Sequence, residues 1–136
     1  MTNDEKLKLC QKAIEIANNS YSPYSDFKVG AALLCEDGTV FLGTNIENAS
    51  YSATNCAERV AIQAAVTNGK RHFKAIAIAG GKETVGETSC PPCGICRQVL
   101  SEFCDGDFVV LLAKNIGFEE YNLSQLLPFS FSKDNL

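Results

Sequence analysis

Two short stretches carry most of the chemistry this chain can offer. One is Cys56-Ala57-Glu58; the other is Pro92-Cys93-Gly94-Ile95-Cys96, whose first cysteine lies 37 residues after Cys56. Each stands where a loop gives way to a helical pattern. A helix N-terminus carries unpaired N–H groups and partial positive charge, and both favour the thiolate form of a cysteine. If the two helix starts converge, three thiolates can meet one metal ion. Structural zinc sites close with four protein ligands, whereas three leave a position for water, and zinc lowers the pKa of such a water towards neutrality. Glu58 is two residues beyond the first thiol. In mid-helix, i and i+2 do not share a face, but in a first turn both can point past the helix end. There a carboxylate can take a proton from the water and deliver it to a leaving group.

The elements that must position these groups are readable from periodicity. Leu7, Cys10, Ile14 and Ala17 recur at helical spacing and predict an amphipathic helix over 4–19 with Asp4 as its N-cap. Apolar runs over 27–35 and 39–43 flank Asp37-Gly38, a hairpin signal. Residues 45–55 are polar and loop-like. Residues 56–66 read as a buried helix capped by Thr54 or Asn55, ending near Asn68-Gly69, where glycine can take the left-handed closing conformation. A strand over 73–79 leads into a loop over 80–92. A helix over 93–103 follows two prolines, which suit a helix entrance. Strands are predicted over 108–113 and 117–121, and a short helix over 123–127 that Pro128 closes. Strands alternating with helices give an α/β fold, a three-layer α/β/α sandwich around a mixed sheet of about five strands.

Composition narrows the function classes. The chain has 136 residues, 46% hydrophobic and 21% charged, and a formal net charge of −4. That length reads as a single domain over 1–136, and a core of this size needs no disulfide staples. No basic cluster exceeds Lys70-Arg71, so a surface that tracks phosphates, and hence a nucleic acid polymer as partner, is not expected. An uncharged nucleoside remains compatible. The polar start Met1-Thr2-Asn3-Asp4-Glu5-Lys6 is unlike a signal peptide, and no apolar run reaches membrane-spanning length. The seven cysteines are then expected in a reducing cytoplasm as metal ligands, catalytic thiols or small core residues. Cys10, Cys35 and Cys104 sit at apolar positions and read as core thiols.

The motif set, in order, resembles the small zinc-dependent cytidine deaminases. It comprises Phe27-Lys28-Val29-Gly30-Ala31-Ala32, Gly43-Thr44-Asn45-Ile46-Glu47-Asn48-Ala49, Cys56-Ala57-Glu58-Arg59, Pro92-Cys93-Gly94-Ile95-Cys96-Arg97-Gln98 and Leu126-Leu127-Pro128. The resemblance implies one Zn²⁺ per chain on Cys56, Cys93 and Cys96, with Glu58 as the general acid/base and not a ligand. It implies that Asn45 and Glu47 hold the ribose, that Phe27 and Ala57 lie beside the bound nucleoside, and that Tyr51 sits at a shared subunit boundary. A late phenylalanine, Phe131 or its near neighbour Phe129, is then donated by a neighbouring subunit of a homotetramer. Three thiolates leave the zinc centre with net negative charge. Arg59, hydrogen-bonded to the ligand sulfurs in the resemblance, would withdraw charge from them. The implied reaction is hydrolytic deamination of cytidine and deoxycytidine, in pyrimidine salvage.

Other readings of the same residues stand beside this one. Cys90 completes a C-x₂-C-x₂-C run with Cys93 and Cys96 and could close a purely structural zinc site in a binding module. Cys93 and Cys96 alone could form a redox pair, though this leaves Cys56 and Glu58 unexplained. Glu58 could serve only the helix dipole, Arg59 could be a surface charge, and Asn45 and Glu47 could be turn residues. His72, the only histidine, has no accompanying motif for a nucleophilic mechanism. Within deaminase chemistry, blasticidin S is the alternative substrate.

Overall fold

The computed structural model describes all 136 residues. Helix α1 (Asn3–Ile16) runs on into a 3-10 turn, Ala17–Asn19. Strands β1 (Lys28–Cys35) and β2 (Val40–Thr44) form the expected hairpin around Gly38, whose φ is +92°. Then follow α2 (Ala57–Thr67), β3 (Phe73–Gly81), α3 (Gly94–Phe103), β4 (Val109–Ala113), β5 (Phe118–Asn122) and the single turn α4 (Leu123–Leu126). The sheet order is β2-β1-β3-β4-β5. The β3–β4 pair is parallel and the other pairs are antiparallel, so the sheet is mixed and five-stranded.

Period-two alternation assigns the sheet's faces. Ala32, Ala75, Ala77, Ala79, Leu111 and Ala113 point to one side and bury Leu9, Cys10 and Ala13 of α1. Ala31, Leu33, Ile76, Ile78, Val110 and Leu112 point to the other and pack on Ala57, Ala61, Ile62 and Ala65 of α2 and Leu100 of α3. Helices therefore cover both faces. The alanine-rich side lets α1 lie close: a Cβ built on Gly30 would sit 2.1 Å from the Ala13 carbonyl oxygen. Ile76 and Ile78 are fully buried, each worth roughly 1.5–3 kcal/mol by removal from water.

This topology brings the two motifs together. Strand β1 is antiparallel to both β2 and β3, and Gly30 pairs with Thr44 on one side and Ala79 on the other. The chain therefore leaves β2 and β3 at the same end of the strands, and the segments leading to α2 and α3 start there.

Three local expectations are corrected. Thr2, not Asp4, caps α1: its hydroxyl accepts from the Glu5 N–H at 3.1 Å, while Asp4 falls in the first turn. Cys56 itself is the N-cap of α2, in place of Thr54 or Asn55, and Cys93 is the N-cap of α3. Cys104 is only half-buried, whereas Cys10 and Cys35 are core residues as expected. Gly69 closes α2 with φ +85°, as its sequence position suggested.

Candidate active site

Because the two caps are cysteines, their side chains project off the helix ends instead of lying along a helix face. Cys56 makes no side-chain capping bond, and its sulfur lies 3.9 Å from that of Cys93. Cys96, one turn into α3, puts its sulfur 3.4 Å from Cys93 Sγ, and its backbone N–H donates to that sulfur at 3.5 Å. All three sulfurs lie within 4.8 Å of one another. Tetrahedral Zn–S bonds of about 2.3 Å place ligand sulfurs about 3.8 Å apart, so the donor set and its spacing fit one zinc ion. Cys96 is buried, Cys56 partly buried and Cys93 exposed, which gives the cluster an open side.

The electrostatics favour a thiolate at Cys56. A hydrogen bond from the Cys96 thiol, reinforced by Arg59, draws Cys56 down to about 5 against the opposing effect of burial. The same interaction, together with burial, pushes the Cys96 thiol up. Arg59 Nη2 donates to Cys56 Sγ at 3.3 Å, and its Nε is buried without a protein partner. A guanidinium held against the sulfurs in this way suits a cluster that carries negative charge. Glu58, in the first turn of α2 and only 4% exposed, has its carboxyl pushed up to about 7, chiefly by burial.

Cys90 does not join the three-sulfur cluster. Burial raises its thiol to about 11, and it packs beside Phe27: a Cβ on Gly80 would meet Cys90 Sγ at 2.8 Å and the Phe27 ring at 2.9 Å. His72 is exposed and precedes β3, at the end of that strand away from the loop to the cysteines. It takes no part in the cluster.

Asn45 and Glu47 lie on the segment leaving β2, and both are already engaged. Asn45 is 9% exposed. Its Nδ2 donates to the Phe27 carbonyl at 2.8 Å, and its Oδ1 accepts from the Val29 N–H at 2.9 Å and from the Ser20 hydroxyl. Glu47 Oε1 accepts from the N–H groups of Tyr24 (2.9 Å) and Ser25 (3.1 Å), and Oε2 accepts from the Ser25 hydroxyl. The Ser25 hydroxyl, with these N–H donors, lowers the Glu47 carboxyl below its usual range. Beside them opens a cleft of about 400 Å³ lined by Tyr24, Ser25, Glu47, Tyr51 and Thr54. The Tyr24 and Tyr51 rings meet edge-on at 6.0 Å across it.

The Ala57 side chain is fully buried against the sheet, so what Ala57 can offer a ligand is its backbone. Phe131 is 61% exposed, with its carbonyl accepting from Gln98 Nε2 at 2.8 Å, and Phe129 is fully exposed. Neither lines the cleft of its own chain. Sequence reasoning missed Ser20, Tyr24 and Ser25, which sit in a stretch legible only as a loop. The one available signal was that a buried carboxamide and a carboxylate need local donors.

The family model described as "Cytidine and deoxycytidylate deaminase zinc-binding region" matches residues 2–112. The cytidine deaminase of Sporosarcina psychrophila is 50% identical over 95% of this chain and 93% of its own length. That of Halalkalibacterium halodurans is 46% identical over 97% and 98%. The crystal structure of cytidine deaminase from Burkholderia pseudomallei superposes with a TM-score of 0.83 at 39% identity, covering 96% of this chain and 100% of that one. With the motif order, the sheet and the thiol cluster matched by likeness along nearly the whole length, the chain belongs to the cytidine deaminase family.

Proposed function

We propose that this protein deaminates cytidine and deoxycytidine hydrolytically, giving uridine and deoxyuridine with release of ammonia. The observation that carries the reading is the convergence of three thiols at two helix starts, with Glu58 buried in the first turn of one of them. Cys56, Cys93 and Cys96 would hold one Zn²⁺, and the ion would supply a Lewis acid able to lower the pKa of a water. Glu58 manages the protons. The water's oxygen bonds to C4 of the pyrimidine; one of its protons goes by way of Glu58 to N3, where it remains in the product. The other goes to the exocyclic amine, which leaves as ammonia. Burial among apolar groups favours the protonated carboxyl, and a buried carboxyl beside the site can both take up and return a proton. Arg59 withdraws charge from the sulfurs through Cys56.

The nucleoside is taken to lie between the Phe27 side of the site and the Glu47 cleft. Asn45 and Glu47 face the sugar, and Phe27, the Ala57 backbone and Tyr51 border it. A 3′-hydroxyl is common to both nucleosides, so both are used. Tyr51 (75% exposed), Phe129 and Phe131 are large exposed apolar groups that support burial in further copies of the chain. A homotetramer with Phe131 completing a neighbour's site is the arrangement proposed, each subunit being one domain. No helix is long and apolar enough to cross a membrane. The free state of all seven cysteines supports a reducing, cytoplasmic setting and a place in pyrimidine salvage. The test is ammonia release from cytidine by the zinc-loaded protein, with uridine as product. A protein that binds one zinc per chain and releases none from cytidine or deoxycytidine refutes the reading.

A further inference from the structure

The hydrogen-bonding capacity around Glu47 is nearly used up. A carboxylate offers about four acceptor positions. Two on Oε1 are filled by the N–H groups of Tyr24 and Ser25, and one on Oε2 by the Ser25 hydroxyl. One position on Oε2 remains. The same Ser25 hydroxyl accepts from the Phe27 N–H at 3.0 Å. A one-way chain therefore runs from the Phe27 amide through Ser25 to the Glu47 carboxylate, and each donor in such a chain strengthens the next. The turn it organises is held in an unfavourable backbone shape: Asp26, between Ser25 and Phe27, has φ +58°, a conformation that persists only where its surroundings over-determine it.

The geometry points to Ser25 as a positioning residue for nucleoside recognition: it fixes the Glu47 carboxylate so that a single acceptor position faces the sugar, and ties that carboxylate to the Phe27 backbone. The inference rests on the reading above that Glu47 accepts a sugar hydroxyl. Without the Ser25 hydroxyl, Oε1 stays pinned by two amides and Oε2 is free to pivot about it. The carboxylate then loses the preset orientation that makes its remaining acceptor selective. Ser25 touches no reacting atom, so the effect belongs in KM and in discrimination of the 3′-hydroxyl.

The experiment compares Ser25→Ala, Ser25→Thr and wild type, each zinc-loaded, on cytidine and on 3′-deoxycytidine. For Ser25→Ala, kcat/KM on cytidine falls about tenfold, mostly in KM, while on 3′-deoxycytidine it stays within about twofold of wild type. Ser25→Thr, which keeps the hydroxyl, restores most of the loss. The ratio of the two substrates within one preparation is independent of how much protein is folded. Equal losses on both substrates, or a fall confined to kcat, would mean that Ser25 only supports the loop, and would overturn the inference while leaving the deaminase reading intact. A wild type that deaminates neither nucleoside refutes that reading, and this inference with it.

Discussion

Gly43 stands behind the site, and one methyl group there should separate the fold from the chemistry. A Cβ built on Gly43 would lie 2.4 Å from the Ala57 carbonyl oxygen and 2.6 Å from the Ala61 backbone nitrogen. Ordinary contact begins near 3.4 Å. Both obstacles are backbone, so in Gly43→Ala the first turn of α2 must retreat by about 1 Å. Overpacking of this kind costs about 1–3 kcal/mol, which for a domain of this size lowers Tm by several degrees. The retreating turn carries Cys56 and Glu58, while Cys93 and Cys96 are held separately on α3. A displacement of 1 Å in a catalytic array can reduce turnover about 100-fold. Gly30→Ala makes a still closer clash, 2.1 Å from the Ala13 carbonyl oxygen, but against α1 on the opposite face. The assay is kcat on cytidine, zinc content and Tm for both variants. Both should lose stability, and only Gly43→Ala should also lose zinc affinity and most of its kcat. A Gly43→Ala protein with wild-type kcat and zinc content would show that the start of α2 is not held rigidly by β2.

Glu58→Gln should keep its zinc and lose about 10²–10⁴-fold in kcat; normal turnover would remove Glu58 from the proton path. In metal-free protein, burial lifts the Glu58 carboxyl from an ordinary 4.5 to about 7, so its ionisation opposes folding. The penalty is absent below pH 4.5 and complete above pH 7, and wild type should lose up to about 3 kcal/mol relative to Glu58→Gln across that window. Urea unfolding in chelator at both ends of the window measures it, and a constant difference refutes it. Arg59→Ala should remain folded and lose about 10–100-fold in zinc affinity or turnover, with unchanged zinc content and kcat as the contrary result. In metal-free protein near pH 7, Cys56, drawn down to about 5, should alkylate at least about tenfold faster than Cys10 and Cys104, which burial pushes up to about 11 and 12. Mass-spectrometric mapping of the alkylated positions would expose an inverted order.

The clustering of Cys56, Cys93 and Cys96 was legible because it needs only two helix starts at one end of the strands, and the alternation of strands and helices supplies that. Cap positions were less legible. Thr54 and Asn55 are better capping residues than cysteine by propensity, yet Cys56 takes the cap of α2, where the thiol can face the other two sulfurs. At α1, Thr2 and Asp4 both fit a capping pattern, and only the observed start at Asn3 decides between them. Cys90 shows the limit of spacing as a guide. It fits a ligand run as well as Cys93 does, but burial beside Phe27 and Gly80 takes it out of the cluster. The loop carrying Ser20, Tyr24 and Ser25 has no periodicity to read, because its hydroxyls and backbone N–H groups answer to partners more than twenty residues away.

Those partners change how substitutions at Asn45 and Glu47 should be understood. The amide of Asn45 joins the Phe27 carbonyl and the Val29 N–H, bonding two backbone groups where β1 begins, and Glu47 does the same for the N–H groups of Tyr24 and Ser25. These side chains serve as hydrogen-bond partners for backbone groups at the start of β1 and in the exposed turn before it. Asn45 and Glu47 satisfy those groups and keep one donor on Nδ2 and one acceptor on Oε2 in reserve. Replacing either therefore removes structure and recognition together, so a loss of activity in Asn45→Ala or Glu47→Ala cannot be assigned to sugar binding alone. Ser25, which alters the reserve acceptor while leaving both amide bonds to Oε1 in place, is the position at which the two effects come apart.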